Sequence, residues 1–318
     1  MGYRTIRNGW LTAIAALGAL FLPAQAQAWG FYAHTVTADI AMENVRPETR
    51  AKIARLLRAS PMLGTPDCAI ETLQDAAVWP DCLRGAYWRW GYTFSWHYQT
   101  EPVTEEYDAR KNCSGLNCVS AQVERNERIL ADESLPDNVR VEALAFLVHF
   151  IGDIHMPLHS GDLDDRGGND RETTYGIVPG LNLHWVWDGP LAERAISGDP
   201  PVARRYTAQE RAELAGGTSA DWGRESWEIA REFIYPETFG CDPCEGDLPD
   251  QVDMSQAIID RSLPIARRRV LQAGLRMADY LDAAFEPGPL PTTGREAGAE
   301  THGPGMAVEY MQIGRAHV

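Results

Sequence analysis

The chain has 318 residues, with 45 acidic side chains against 29 basic ones and a formal net charge of −16. That length suits one large domain or two small ones, and the acidic excess argues against a broad basic surface that would grip a phosphate backbone by counter-charge alone. It leaves nucleic acid open as a substrate, because a bound metal ion supplies positive charge where a phosphate must sit.

In chain order, residues 1–28 read as a secretory signal peptide. Arg4 and Arg7 give a positive start, 11–22 is a short apolar core, and Ala26-Gln27-Ala28 is a small-x-small cleavage site. That core is too short for a comfortable membrane span, and no later stretch is long enough, so no anchor is expected once the leader is cut. Cleavage after Ala28 makes Trp29 the new N-terminus and delivers the protein to a periplasm or outside the cell.

Apolar residues at helical spacing predict helices near 30–44, 47–58, 71–78, 117–132, 137–155, 182–195, 207–214, 220–233 and 254–284. In the last of these, Ile258, Ile259, Leu263, Ile265, Ala266, Val270, Leu271, Leu275 and Leu281 keep the rhythm, and Pro264 is the expected place for a kink. Strand-like alternation is scarce, 173–178 being the best short candidate. An all-α helical bundle follows. No Gly/Ser linker, repeat or low-complexity block interrupts 29–286, so one domain is expected there. Beyond it the composition turns to Pro, Gly, Thr and Glu, and 287–318 reads as a disordered tail. Its end, 313–318, matches the in-frame translation of a common sequencing adapter and is expected to be an assembly artefact.

Six cysteines in an exported chain point to disulfides. Cys113 and Cys118, flanking Ser114 and Gly115, are expected to staple a short loop. Cys241 and Cys244 are a second candidate pair, which would leave Cys68 with Cys82, although six cysteines allow many connectivities. Half of a zinc site is the weaker reading of Cys241 and Cys244, since no second cysteine pair or histidine follows nearby.

The densest chemistry lies in His149-Phe150-Ile151-Gly152-Asp153-Ile154-His155-Met156-Pro157-Leu158-His159. On a helix, positions four apart share a face, so His149 and Asp153 reach the same point. Pro157 stops the helix, and the turn it forces swings His159 back toward that point. The same spacing recurs at His184 and Asp188. One such pair is more often incidental than functional, but two copies with a third histidine favour a metal site, and imidazole with carboxylate suits zinc. Further candidates are His34, close behind Trp29; Asp81, two residues after Trp79; and His97, between Trp96 and Tyr98.

Taken together, Trp29-Gly30-Phe31-Tyr32-Ala33-His34, Trp79-Pro80-Asp81 with Arg84, His97-Tyr98, the 149–159 run, Gly167-Gly168-Asn169 and Leu183-His184 through Asp188 resemble, in order, the motifs of the P-one/S-one family of zinc-dependent single-strand nucleases. The resemblance covers about 29–286. It implies three zinc ions: one on Asp81, His97, His149 and Asp153; a second on His159, His184 and Asp188; a third on the Trp29 α-amine and carbonyl, His34, and Asp153 as a bridge. His155 is left over and is expected to be a hydrogen-bonded supporting histidine.

The resemblance also implies in-line hydrolysis of phosphodiesters to 5′-phosphate products by metal-activated water, with Asp81, Arg84 and Asp153 as the catalytic set. Arg84 would stabilise the phosphoryl group through its planar guanidinium; an ordinary surface salt bridge is its bland alternative. Single-stranded DNA or RNA and nucleotides are the implied substrates of a monomer. Tyr98 takes the family's base-stacking position and Asn169 is an expected polar contact. Where the mould enzymes carry a base-reading aspartate, this chain has Thr100, whose single hydroxyl lacks a bidentate acceptor edge. Base preference therefore does not carry over. The run Tyr87, Trp88, Trp90, Tyr92, Phe94, Trp96 is expected to be mostly buried core, with a wider stacking platform as the second reading. Two alternatives stay open: a secreted zinc phospholipase C of similar helical architecture, and an exported zinc-binding protein whose ions are only structural.

Overall fold

The computed structural model describes residues 29–285 apart from Glu245 and Asp247. The predicted signal peptide, 1–28, and the predicted tail and adapter-like end, 287–318, lie outside the described residues. Helices dominate, starting where the sequence supplies start signals. α1 (Phe31–Asn44) follows Gly30, and α2 (Pro47–Leu57) opens on a proline, whose missing N–H costs nothing in a first turn. α3 (Leu73–Cys82) opens on a reciprocal capping box between Thr72 and Asp75. It runs past its predicted end at 78 because burial of Trp79 and Pro80 offsets the one backbone bond the proline removes.

Next comes a stretch that helical periodicity did not foresee. A 3-10 turn at Leu83–Ala86, the single-turn α4 (Tyr87–Trp90) and a 3-10 run at Gly91–His97 follow one another. α5 (Val119–Ala131) and α6 (Asp137–Asp153) pack together, and α3 also lies on α6. Every residue of α6 from Ala143 to Asp153 is buried, which makes it the central helix. The helix predicted at 182–195 is interrupted: α7 (Leu183–Val186) and α8 (Ala192–Ile196) flank a π turn at Trp187–Leu191 that contains Pro190. α9 (Ala208–Leu214) precedes α10 (Ser219–Ile229), which a second π turn, Ala230–Ile234, joins to α11 (Tyr235–Phe239). The last helix, α12 (Gln256–Phe285), continues through Pro264. Among the described residues, no helix is long and apolar enough to cross a membrane.

The strand predicted at 173–178 is present over 173–175 and then turns at Gly176 and Ile177 into a second strand that starts at Val178. β1 (Glu101–Pro102) and β2 (Gly161–Asp162) form a small parallel pair; β3 (Glu172–Tyr175), β4 (Val178–Asn182) and β5 (Gln251–Met254) form a sheet in the order β4-β3-β5. Gly176, at φ +59°, turns β3 into its antiparallel partner β4, while β5 runs parallel to β3. β5 claims Met254, which the periodicity had given to the final helix.

Two apolar cores share α1 and α12. One gathers Ala38, Trp79, Leu144, Phe146, Phe150 and Leu281; the other gathers Trp29, Ile40, Leu158, Trp187, Trp227 and Val270. α1 and α12 approach so closely that a Cβ on Gly274 would stand 2.5 Å from Ile40 Cβ. The disulfides are Cys68–Cys82, Cys113–Cys118 and Cys241–Cys244, so Cys241 and Cys244 are bridged to each other and are not half of a metal site.

Candidate metal centre

The last turn of α6 sets His149 Nε2 3.0 Å from Asp153 Oδ2, as i, i+4 spacing requires. Pro157 opens a 3-10 turn (Pro157–His159) that brings His159 Nδ1 to 3.6 Å from Asp153 Oδ1. The small parallel pair then aligns a second segment with this turn. Gln99 N–H donates to His159 O at 2.9 Å and Glu101 N–H to Ser160 O at 2.7 Å. His97, just upstream, therefore reaches the same carboxylate, with Nδ1 3.0 Å from Asp153 Oδ2. The end of α3 adds Asp81, whose Oδ1 is 3.8 Å from His97 and 3.9 Å from His149.

From the other side α1 presents His34, with Nε2 3.4 Å from Asp153 Oδ1. Its ring fits only because residue 152 is glycine: a Cβ there would stand 2.6 Å from His34 Nδ1. α7 and its π turn bring His184 Nε2 within 3.8 Å of Asp188 Oδ2, and the His184 ring stacks on that of His159 at 5.2 Å. Trp29 is buried; its main-chain N–H approaches the Asp188 carboxylate, and Gly30 N–H donates to Asp188 O at 2.7 Å.

Backbone carbonyls orient two of the imidazoles. His149 Nδ1 bonds Ala77 O at 2.6 Å and His184 Nδ1 bonds Gly167 O at 2.8 Å, so each turns Nε2 inward. Gly167 has φ +62°, and a Cβ on it would stand 2.2 Å from Leu158 O. Spacing alone did not single out Gly152, Gly167 or the Ala77 carbonyl as shaping the centre. The signals in the sequence were Gly152, a glycine inside a helix, and Gly167, which opens the Gly167-Gly168-Asn169 motif.

All nine of these residues are buried. Yet both nitrogens of His34, both carboxylate oxygens of Asp153 and of Asp188, Asp81 Oδ1, His97 Nε2 and His159 Nδ1 make no hydrogen bond. Buried polar atoms left this way cost about 1–3 kcal/mol each, so the cluster is badly unsatisfied as a purely organic arrangement. Three groups have ligand atoms within 4.8 Å of one another and can each hold a metal ion: His34/His149/Asp153, Asp81/His97/His149 and His159/His184/Asp188. The residues present thus fit metal ions, and an imidazole-carboxylate donor set suits zinc.

The electrostatics point the same way. Burial holds His34 and His97 below the ordinary imidazole value and His159 well below it. Burial likewise brings His184 down to about 4. For His149 burial also lowers the value, but the charges of Asp153 and Asp81 outweigh it. For Asp153 burial pushes up, and the His149 charge together with contacts from His149, His34 and His97 holds it well below the usual range. Asp188 is raised well above that range by burial and by the charges of Asp153 and Asp81. Most of the imidazoles are therefore neutral donors, and of the three carboxylates Asp81 alone has a guanidinium, that of Arg84, beside it.

Arg84 borders the cluster, with Nη2 3.1 Å from Asp81 Oδ1 and 26% of its side chain exposed; its charge reaches His184 and Asp188. Tyr98, next to His97, leaves 46% of its surface to solvent. Thr100 and Asn169 are not drawn into the cluster. Thr100 accepts at its main-chain oxygen from Asn112, and Asn169 Nδ2 donates to Arg166 O at 2.9 Å. His155 also stays outside, bonded to Ile151 O at 2.7 Å and to Arg276 Nη1 at 2.9 Å.

Converging buried donors on a helical scaffold define the class: a mostly helical protein with a candidate polynuclear metal centre. The family follows from comparison. A family model described as S1/P1 Nuclease matches residues 29–286, and the chain belongs to that family. It is similar to Endonuclease 4 of Arabidopsis thaliana, 27% identical over 283 residues, 82% of this chain and 90% of that protein. Nuclease S1 of Aspergillus oryzae is 27% identical over 273 residues, covering 80% of this chain and 91% of its own length. Nuclease P1 of Penicillium citrinum is 28% identical over 173 residues, 54% of this chain and 60% of that protein.

Proposed function

We propose that residues 29–286 form one zinc-dependent endonuclease domain, exported as a monomer after cleavage between Ala28 and Trp29. It hydrolyses single-stranded DNA and RNA to 5′-phosphate products, with 3′-nucleotidase activity at the same centre. The observation that carries this reading is the set of buried, unpaired donor atoms on His34, Asp81, His97, Asp153, His159 and Asp188, in a member of a nuclease family. In this reading Asp81, His97, His149 and Asp153 hold one zinc, and His159, His184 and Asp188 a second. The Trp29 amine and carbonyl, His34 and Asp153 would hold a third, with Asp153 shared with the first set.

Zinc, when bound, supplies Lewis acidity that activates water near neutral pH and stabilises negative charge on phosphoryl and leaving oxygens. The chain's residues do the rest. Asp153 sets the spacing of the centre, because its carboxylate is shared by donors from α1, α6 and the His97 segment. Arg84 rests on Asp81 and keeps about a quarter of its side chain in solvent; from that position its planar guanidinium would take a substrate phosphoryl oxygen as charge builds in the transition state. Tyr98 offers an exposed ring to one unstacked base, which a duplex resists giving up. The test is metal analysis of the purified protein coupled to assays on single-stranded DNA, duplex DNA and phosphatidylcholine. Zinc with cleavage of the single strand is expected; hydrolysis of the lipid alone, or of nothing at full zinc content, would refute it.

A further inference from the structure

The excursion between Asp81 and His97 leaves the candidate centre and returns to it, since Asp81 Oδ1 and His97 Nδ1 are 3.8 Å apart. It consists of short 3-10 and α turns, so at a rise of about 2 Å per residue its middle stays within roughly 15 Å of the centre. Its rings fall into two sets. Trp90 and Trp96 are buried and pack on Phe146. Tyr87, Trp88 and Tyr92 are 67%, 86% and 59% exposed.

Two of the exposed rings are held in place. Tyr87 meets Phe94 edge-on at 5.3 Å and lies so close to Gly91 that a Cβ there would stand 2.9 Å from Tyr87 Cε2. Tyr92 stacks against Trp90 at 6.4 Å and meets Trp96 edge-on at 5.4 Å. The local charge also departs from the rest of the chain. Residues 82–100 contain Arg84 and Arg89 and no carboxylate, in a chain with 45 acidic residues. Glu142, whose charge reaches Tyr92, is opposed there by Arg125 and Arg89.

We propose that Tyr87, Trp88 and Tyr92 form a second base-stacking platform, which holds the part of a single strand that flanks the bond cleaved at the centre. This rests on the nuclease reading above and adds a subsite to it. Rings fixed before binding lose little freedom when a base arrives. Stacking accepts any base, because every base has a π face, and the arginines attract the strand's phosphates. The platform favours long single strands over dinucleotides and over duplexes, whose bases stay stacked inside.

The experiment compares the zinc-loaded protein beginning at Trp29 with its Trp88→Ala and Gly91→Ala variants. Stopped-flow anisotropy records binding of a long fluorescent oligothymidylate before it is cut, and steady-state kinetics compare that substrate with a thymidine dinucleotide. Trp88→Ala should weaken oligonucleotide binding about tenfold and lower the oligonucleotide-to-dinucleotide ratio of kcat/KM by a similar factor. Gly91→Ala, which displaces the Tyr87 ring, should shift both in the same direction. Equal oligonucleotide affinity in all three proteins overturns the platform. So does a Trp88→Ala defect confined to binding of phosphatidylcholine vesicles, which would assign the rings to a lipid surface. If the unmutated protein cleaves neither substrate yet binds the oligonucleotide in a Trp88-dependent way, the nuclease reading falls and the platform stands.

Discussion

Two buried polar clusters flank the C-terminal end of α6, and they are built on opposite principles. On one side His155, Arg269, Arg276 and Glu225 match donors to acceptors. Arg276 grips Glu225 at 2.6 and 2.8 Å, and Arg269 donates to Glu225 at 2.5 Å, to Ser226 Oγ at 2.7 Å and to His155 O at 3.2 Å. His155 is held well below the ordinary imidazole value by burial and by the charges of Arg269 and Arg276, which leaves its Nε2 free to accept from Arg276. Only Arg276 Nε goes without a partner there. On the other side His149, Asp153 and His159 aim acceptors and imidazole nitrogens at one another with no hydrogen bonds to join most of them. One cluster completes itself, while the other is complete only around cations. Burial of charged groups is common to both, so burial alone does not identify a functional site; many unmatched donor atoms converging on one point do.

That contrast predicts separable failures. The largest belongs to Asp153. Asp153→Asn keeps the side chain's shape but removes the anionic bridge, and metal content and activity should be lost together; near-normal zinc and turnover in this variant would break the contrast. Next in size is the chain start. A free amine sheds its proton to a metal near neutral pH, since its usual pKa is about 7.7–8.0, whereas an amide nitrogen is a poor donor because its lone pair is delocalised. An exported form with one extra Ala before Trp29 should fold, yet lose one zinc and most activity by elemental analysis and assay. Cleavage of the leader would then act as a chemical lock on the nuclease.

The self-satisfied cluster should fail differently. Arg269→Met leaves several buried acceptors unpaired and should cost about 3 kcal/mol of stability in denaturant titration. The cost falls at the low end for a broken buried pair because the Glu225 side chain keeps 36% of its surface in water. Zinc per folded chain should not change. Arg84→Ala sits at the edge of the other cluster and should do the reverse. It should leave stability and zinc near normal while turnover on single-stranded DNA falls by about 100-fold, the usual worth of one preorganised donor to transition-state charge.

What the sequence made legible follows the same division. His149 with Asp153, His184 with Asp188, and the return of His159 beyond Pro157 are local, so helical spacing and one proline sufficed to bring them together. His34, Asp81, His97 and Trp29 come from separate elements, and only the order of family motifs linked them to the first group. The ladder that aligns His97 with His159 rests on two-residue strands, too short to leave any alternation in sequence. The aromatic run between Tyr87 and Trp96 was expected to be mostly core. Lacking one period, it gave no sign of which rings would turn outward, and Tyr87, Trp88 and Tyr92 did. The π turn that carries Asp188 was hidden for a related reason, since its neighbours keep the helical pattern on both sides.

The most direct test is the zinc content of the folded, exported protein that begins at Trp29, measured by elemental analysis after dialysis against metal-free buffer. The account predicts one ion for each of the three donor groups, lost on chelation together with single-strand cleavage and regained with it on adding zinc back. Folded protein without zinc that still cleaves single-stranded DNA, or one that takes up no more than a single ion, would contradict it.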